Sequence, residues 1–191
     1  MRRRLKDVAE LRTGFSFRGR IERDPQGDLA VLQMKDFGAD RQIVSELMVR
    51  INGRGFDKRQ LLRPADVVFQ SRGQTNFASL VPPNMPSTVL AAPMLLIRCN
   101  TDRFDPAFAA WLLNGASVRG GFASIAAGTA VKIISKSSLE DFEVPVPPLH
   151  VQREIAAVAQ LAQQEETLAM EIASRRRLIV SQMLVQKANR G

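Results

Sequence analysis

The sequence predicts an α+β protein in which a compact body of short strands precedes one long C-terminal helix. Three prolines between residues 145 and 148 form a segment that no helix can cross, because proline fixes φ and disfavours helical conformation in the residue before it. No proline or glycine then occurs from residue 149 to residue 187. We therefore expect one domain over residues 1–147 and a helix over residues 148–191.

The composition is that of an ordinary globular protein. The 191 residues are 45% hydrophobic, which is enough to bury a core. No apolar run is long enough to span a membrane, and no secretory signal follows the basic N-terminus, so we expect the protein in the cytoplasm. The only cysteine, Cys99, lies in an apolar segment and is expected to be a buried thiol.

The chain is basic, and arginine supplies most of the excess. Lys and Arg total 27 against 19 acidic residues, a net charge of +8. Residues 1–148 hold 21 of the basic and 15 of the acidic side chains. The planar guanidinium suits bidentate contacts to phosphates and guanine edges, so the charge suggests a nucleic-acid partner, although many basic proteins bind none.

Short apolar segments predict the elements of the body in chain order. Leu5, Val8 and Leu11 share one helical face, so residues 5–11 are predicted to form a helix that ends before Gly14. The other predicted elements are strands at Leu29–Met34, Val67–Phe69, Val89–Ile97 and Ala130–Ile134 and a helix at Pro106–Leu113.

Two of these segments carry more detailed predictions, and one further segment remains undecided. Pro93 interrupts the strand at residues 89–97, which is therefore expected to be an edge or bulged strand. Phe108, Trp111 and Leu112 are expected to face the core from their helix. Residues 43–51 are apolar, but their pattern does not choose between helix and strand.

The C-terminal segment has a heptad pattern, interrupted by Glu165 and Arg175. About 39 residues at 1.5 Å each give a helix of about 58 Å. An apolar stripe of that length needs a second helix, so we expect an intermolecular antiparallel coiled coil; the alternative is a helix that lies across its own body. The predicted dimerisation residues are Val151, Ile155, Val158, Leu161, Leu168, Ile172, Ile179 and Met183.

The sequence carries no recognisable catalytic motif. No phosphate-binding loop, dinucleotide-binding glycine motif or nucleophile elbow occurs. His150 stands alone at the start of the predicted helix, and no second histidine could complete a metal site with it. Asp66 has Gln70 where a metal-dependent nuclease would need a second carboxylate. We predict a protein with no catalytic residues, no metal and no directly bound cofactor.

The body instead offers polar, basic loops between its strands. Arginine, glutamine, asparagine and lysine pair with base edges, and glycine lets backbone N–H groups approach phosphates. The segment from Arg72 to Asn76 is the densest of these clusters. The candidate DNA-binding residues are Arg18, Arg20, Lys35, Arg54, Lys58, Arg59, Arg72, Gln74, Asn76, Thr129, Lys132 and Lys136.

Several stretches resemble the specificity subunits of type I restriction–modification systems, and together they cover almost the whole chain. The strongest resemblance is at the proline segment, where Gln152 and Ile155 follow at the family's spacing. The stretches that carry the resemblance are Leu5–Leu11 with Gly14, Leu62–Gly73, Ala127–Thr129 with Ile134, Ser135 and Leu139, and Val144–Leu149 with Gln152 and Ile155.

The resemblance implies that residues 1–147 are a target recognition domain and that residues 148–191 are a spacer helix. Members of this family read bipartite double-stranded DNA targets and perform no chemistry themselves. They dock a DNA adenine methyltransferase subunit that uses S-adenosylmethionine. With a restriction and translocase subunit they form an anti-phage nuclease.

The chain departs from the family pattern in three places. Ala65 stands where glycine is usual, which puts the turn before Val67 in doubt. Val151 stands where glutamate is usual, which puts its local contacts in doubt. Typical members also carry two recognition domains and two helices, whereas this chain has one of each.

This last departure predicts a homodimer. Two copies with antiparallel helices would make a twofold-symmetric reader of a palindromic split site. A helix of about 58 Å spans roughly 17 base pairs, which limits the gap between half-sites. Pro147 and Pro148 are expected to set how the body projects from the helix.

Three other functions remain open from the sequence. The chain could be a stand-alone basic nuclease or methyltransferase, which the missing motifs argue against. It could be an orphan specificity-like module that binds proteins in an anti-phage assembly. It could also pair with a different half-subunit, because the heptad pattern contains no charges that exclude one.

Overall fold

The computed structural model describes residues 1–73, 75–116, 118, 120–121 and 132–190, and of Lys132 only the backbone. It is an α+β structure with a long C-terminal helix, as the sequence predicts. Its strands are β1 (Arg2–Arg4), β2 (Ala9–Thr13), β3 (Leu29–Leu32), β4 (Val49–Ile51), β5 (Val67–Gln70), β6 (Arg72–Gly73), β7 (Phe77–Leu80), β8 (Thr88–Leu90), β9 (Leu95–Cys99), β10 (Lys132–Ile133) and β11 (Glu143–Pro145). Its α-helices are α1 (Pro106–Asn114), α2 (Lys136–Glu140) and α3 (Leu149–Ala188).

The chain divides into two compact units, residues 1–153 and residues 154–191. The first unit holds all the described strands and the first turn of α3, and the second unit is the remainder of α3. Among the described residues, none of the helices combines the length and the apolar character needed to cross a membrane.

Two sheets form the centre of the first unit. One has the strand order β2-β9-β5-β7 with antiparallel neighbours throughout. The other has the order β4-β3-β8, in which β3 is antiparallel to β4 and parallel to β8. Two further antiparallel pairs, β1 with β11 and β6 with β10, join segments that are far apart in sequence.

Strands β3, β5, β7 and β8 are largely buried on both faces, whereas β2 and β4, at the sheet edges, each carry exposed residues. Side chains of β3 alternate between two clusters. Ala30 and Leu32 pack with residues of the four-stranded sheet, whereas Leu29 and Val31 pack against the loops on the opposite side. The small three-stranded sheet is thus covered on both faces.

The structure confirms the strand at residues 67–69 and the helix at residues 106–113. Asp105 caps α1 by accepting a hydrogen bond from the Phe108 N–H at 2.9 Å, and Pro106 occupies the first turn, where a missing N–H does no harm. Trp111 was expected in the core but is 43% exposed, because α1 is apolar on most of its faces and only one side of it is covered.

The predicted helix at residues 5–11 is wrong. Leu5–Asp7 form one 3₁₀ turn, and Ala9–Thr13 form strand β2, which pairs along its whole length with β9. The spacing of Leu5, Val8 and Leu11 fits a helix over two turns, but a 3₁₀ turn followed by an alternating strand buries the same residues. Pairing with a neighbouring strand decides between the two arrangements.

The predicted strand at residues 89–97 is two strands. Pro93 lies in the turn between β8 and β9, and these strands belong to different sheets. Strand β9 is internal to its sheet, with β2 and β5 on either side, so the prediction of an edge strand is wrong. The undecided residues 43–51 contain a 3₁₀ turn at Ser45–Leu47 and strand β4.

Candidate nucleic-acid interface

Strands β6 and β10 bring two of the predicted DNA-binding loops together. Gly73 pairs with Lys132, and Arg72 pairs with Ile133. The Ile134 N–H also donates to the Ser71 carbonyl at 2.8 Å. Arg72 is exposed on this ribbon, and Lys136 follows it at the start of α2. Gln74 and Thr129 lie outside the described residues.

Amide side chains hold the described residues on either side of position 74. Gly73 has φ +141°, and a Cβ there would lie 2.9 Å from the Gln70 Nε2, so the position requires glycine. The Gln70 Nε2 donates to the Thr75 carbonyl at 3.4 Å, and the Asn76 Nδ2 donates to the Gln70 carbonyl at 3.0 Å. Asn76 is only 7% exposed, so its amide positions the loop.

A short 3₁₀ helix at Met34–Asp36 lies beside this loop. The Met34 Cε is 4.0 Å from where a Cβ on Gly73 would be. Lys35 is exposed, and Asp36 is fully buried with its Oδ2 accepting the Gln33 N–H at 2.8 Å. Burial raises the pKa of the Asp36 carboxyl. We call Lys35, Arg72, Lys132 and Lys136 the β6–β10 group.

A second set of cations is held together by aromatic rings. The ring of Phe15 lies 4.8 Å from that of Phe17 and 4.9 Å from that of Phe56, measured between centroids. These contacts pack the loop that follows β2 against the loop that follows β4. Both loops carry exposed cations, which we call the phenylalanine group: Arg18, Arg20, Arg54, Lys58 and Arg59.

The side chains of Asp57 and Gln60 cap the start of the 3₁₀ turn at Lys58–Gln60. The Asp57 carboxylate accepts the Arg59 N–H at 2.8 Å, and the Gln60 Oε1 accepts the Asp57 N–H at 2.9 Å. The Arg12 Nη1 donates to the Arg59 carbonyl at 2.8 Å and so ties this turn to β2. The backbone beneath Lys58 and Arg59 is therefore well fixed.

The two groups lie on opposite faces of the β4-β3-β8 sheet. Phe37, which directly follows the turn with Lys35, packs on one face with Leu32 of β3. Phe17 and Phe56 pack on the other face with the alternate residues of β3. Nine of the twelve predicted residues thus fall into two groups, rather than one continuous cluster, with Lys132 placed by its backbone alone. Of the other three, Asn76 is buried, and Gln74 and Thr129 lie outside the described residues.

Most of these cations form no ion pair among the described residues. Lys136 forms an ion pair with Glu140 at 3.3 Å. Within the part of the chain that the structure describes, no ion pair is formed by Arg18, Arg20, Lys35, Arg54, Lys58, Arg59 or Arg72. Exposed cations without partners are available to neutralise phosphates.

Asp66, the only acid considered for a nuclease site, has a structural role. It is 3% exposed and accepts two hydrogen bonds from Arg98, at 2.8 Å from Nε and 2.6 Å from Nη2. The same carboxylate accepts the Arg63 N–H at 2.8 Å. The hydrogen bonds that Arg98 donates to Asp66 raise the pKa of Arg98 above its ordinary value. This ion pair, together with the bond from the Arg63 N–H, holds the turn that precedes β5.

Cys99 behaves as an unreactive thiol. It is the last residue of β9 and is partly buried, and this burial raises its pKa to about 12. The thiol is therefore protonated at neutral pH and is a poor nucleophile. Across the described residues, no three His, Cys, Asp or Glu side chains lie close enough to hold a metal ion.

Gln152 anchors the first turn of α3 to the body. Its Oε1 accepts the Asp105 N–H at 2.8 Å, and its Nε2 donates to the carbonyls of Arg103 at 2.9 Å and Pro147 at 2.7 Å. The side chain is fully buried, and its amide oxygen and both amide hydrogens are used. His150 is exposed in the same turn.

The predicted dimerisation residues lie along one side of α3. At 100° per residue, they fall within an arc of about 140°. Six of them, from Val158 to Met183, are 56% to 68% exposed, and Val151 and Ile155 are half-buried. Exposed apolar side chains in such a row are typical of a helix that packs against another.

Comparison with known proteins identifies the family. A model described as "type I restriction modification DNA specificity domain" matches residues 1–160, most of the chain. The chain belongs to this family. A search among curated proteins finds no similar sequence.

Solved structures agree with this family and show the same fold. The HsdS subunit from Thermoanaerobacter tengcongensis aligns with a TM-score of 0.59 at 22% identity, and the type I system S subunit from M. genitalium aligns with 0.57 at 16%. A chain from a structure of type I R-M complex assembly and conformational transition gives 0.68 at 20% identity. Each alignment covers 93% of this specificity domain but only 42% to 45% of the other chain. The specificity domain therefore spans less than half the length of these structures.

Proposed function

We propose that this specificity domain is the sequence-specific DNA-binding component of a type I-like restriction–modification complex and that it performs no reaction itself. The observation that carries the proposal is the β6–β10 ribbon, on which Arg72 is exposed and, among the described residues, forms no ion pair. A preorganised loop lowers the entropy lost on binding, so its side chains can discriminate between bases. Membership of the DNA specificity family indicates that the ligand is DNA.

The two groups of cations would act differently. Arg72 lies on the β6–β10 ribbon, and bidentate contacts from its guanidinium to base edges would need a fixed backbone. The phenylalanine group, with five exposed cations on two loops, suits phosphate contacts that fix the position of the duplex without reading it. Because the groups lie on opposite faces of a small sheet, the duplex would have to pass around an edge of this sheet to meet both.

Helix α3 would pair with a second helix of the same kind. Burying its apolar row requires a partner helix, and the antiparallel homodimer supplies one together with a second recognition domain. The matched structures are about twice as long as this chain, in keeping with two such halves. The resulting homodimer would bind a palindromic, bipartite site. A different half-subunit could also bury the apolar row of α3.

A methyltransferase subunit would use the other faces of α3. Leu178, Ile179 and Val180 point in three directions around the helix, and all three are 48% to 61% exposed. One partner helix cannot cover all sides of this segment, so further helices are needed around it. A docked adenine methyltransferase would provide them and would bring S-adenosylmethionine, and a restriction subunit could join the same assembly.

Replacing Arg72 tests the DNA-binding proposal. We expect Arg72→Ala to weaken binding of the full chain to a mixed-sequence duplex in fluorescence anisotropy, by roughly tenfold or less, because one charge-assisted contact is lost. Arg103→Ala is the matched control, since Arg103 is also exposed and forms no ion pair among the described residues. A wild-type chain that does not bind duplex DNA at about 50 mM salt would overturn the proposal.

A further inference from the structure

Arg41 stands in a backbone conformation that long side chains rarely adopt. It has φ +65° in the turn between Phe37 and Ile43. Its N–H donates to the Gly38 carbonyl at 2.9 Å, and the Gly38 N–H donates to the Gln42 carbonyl at 2.9 Å. A left-handed residue with a side chain costs about 1–2 kcal/mol relative to the right-handed form.

The turn aims the Arg41 guanidinium at an aromatic ring. The guanidinium carbon lies 5.8 Å from the centroid of the Phe77 ring, and Phe37 packs edge-on against the same ring at 5.1 Å. A partly exposed cation–π contact stabilises by about 0.5–1 kcal/mol, which does not exceed the backbone cost. The contact alone therefore gives no stability reason for an arginine at this position.

Backbone strain by itself does not indicate function. Ala65 also has a positive φ, of 66°, and carries no functional side chain. Arg41 differs because its guanidinium is held against a ring and, among the described residues, forms no ion pair. A cation that is positioned but unpaired is available for an external anion.

The position of the Arg41 guanidinium in the fold also supports a role in binding an anion. Phe77 begins β7, directly after the loop at residues 71–76, and Phe37 directly follows the turn that carries Lys35. The Arg41 guanidinium therefore lies over one of two rings that adjoin the segments carrying Lys35 and Arg72. This guanidinium lies over a ring and, among the described residues, forms no ion pair, so its N–H donors can bind a phosphate.

We propose that Arg41 is a phosphate-contacting residue that positions the DNA backbone beside the reading loop at residues 71–76. The proposal rests on the DNA-binding function proposed above. It predicts one additional phosphate contact, which does not depend on the DNA sequence.

The test compares the salt dependence of DNA binding by full-length variants. We would measure fluorescence anisotropy with a mixed-sequence duplex of about 30 base pairs, between about 50 and 200 mM salt. Arg41→Gly relieves the backbone conformation while removing the cation, so it is expected to unfold in urea no earlier than the wild type. Its binding slope should fall by about 0.9, and its affinity should fall roughly five- to tenfold near 0.1 M salt.

Two further variants make the result specific. Arg41→Lys keeps the charge and should retain most of the wild-type slope, whereas Arg103→Ala removes a cation elsewhere and should leave both slope and affinity unchanged. An Arg41→Gly chain with the wild-type slope and affinity would refute the assignment, as would a loss confined to particular DNA sequences. If the wild type shows no binding at all, the proposed function itself fails, which is a distinguishable outcome.

Discussion

Ala65 occupies the turn before β5, where the family usually has glycine, and its φ of 66° explains that preference. Its N–H donates to the Val81 carbonyl at 3.1 Å, and the next residue, Asp66, anchors the turn through Arg98. The surrounding contacts thus hold alanine in a conformation that suits glycine better.

Ala65→Gly should therefore stabilise the protein. Relief of the left-handed conformation is worth about 1–2 kcal/mol, and the greater freedom of glycine in the unfolded chain removes part of that gain. We expect the free energy of unfolding in urea to rise by roughly 0.5–1 kcal/mol. Ala107→Gly, in the first turn of α1, is the control and should lower stability; a loss at Ala65 would contradict the account.

Asp36 predicts a particular dependence of stability on pH. Burial raises the pKa of its carboxyl above the ordinary value of 3.8, so the folded state favours the protonated form. As pH rises from the unfolded value through the raised folded value, the unfolded state loses its proton first, and this group's contribution to stability falls. It is largest below pH 3.8 and smallest above the raised pKa.

Asp36→Asn should remove that dependence, because asparagine keeps an oxygen for the Gln33 N–H and carries no charge. In urea unfolding at about pH 4 and about pH 7.5, the stability of the wild type relative to the variant should decline as pH rises. Subtracting the free energy of unfolding of the variant from that of the wild type cancels the contribution of groups whose pKa is shifted the other way. Asp141 is one of them, because its hydrogen bond from Lys6 lowers its pKa. A difference that grows with pH would show that the Asp36 carboxylate is stabilised when charged.

At the scale of elements, the local sequence pattern was sufficient to predict those elements that are stabilised by their own residues. Helix α1 has its cap at Asp105 and its proline in the first turn, and α3 is free of breakers, so both could be predicted. Strand β2 could not be separated from a helix, because the decision comes from β9, nearly 90 residues later in the chain. The pairing of β6 with β10, which assembles the interface, is likewise invisible to local pattern.

The anchoring of α3 by Gln152 can be tested directly. Gln152→Leu keeps the volume but leaves the Asp105 N–H and the carbonyls of Arg103 and Pro147 without this partner. We expect the free energy of unfolding to fall by about 2–4 kcal/mol. Gln160→Leu, on an exposed position of the same helix, should change it by less than about 0.5 kcal/mol. Equal losses of unfolding free energy in the two variants would mean that the hydrogen bonds of the buried Gln152 amide do not stabilise the fold.

The apolar row of α3 predicts self-association. Light scattering at micromolar concentration should give the mass of a dimer, with or without DNA. Replacing Leu168 and Ile172 with lysine should shift the mass towards the 21.2 kDa monomer, because both side chains are exposed in the described chain and need a partner surface. Glu171→Lys, outside the row, is the control. A wild type that remains monomeric even with DNA would refute the homodimer.

At the scale of the whole molecule, the sequence motifs indicate the family, whereas the site depends on the fold. Lys35, Arg72 and Lys136 could be predicted as exposed cations from their loops. Their convergence could not be predicted, since it depends on sheet pairings between distant segments. Arg41 was missed because no residue type in its turn signals a positive φ. Asn76 illustrates the converse, since its amide resembles a base-reading group in sequence but is buried in the loop.

The most direct test of the central claim is a selection experiment. The full chain is incubated with duplexes randomised at their centre, and the bound fraction is sequenced over successive rounds. The account predicts enrichment of a short motif in two inverted copies, at one fixed gap of no more than about 17 base pairs. A bound pool as random as the input, although DNA is retained, would contradict the claim that this domain reads sequence.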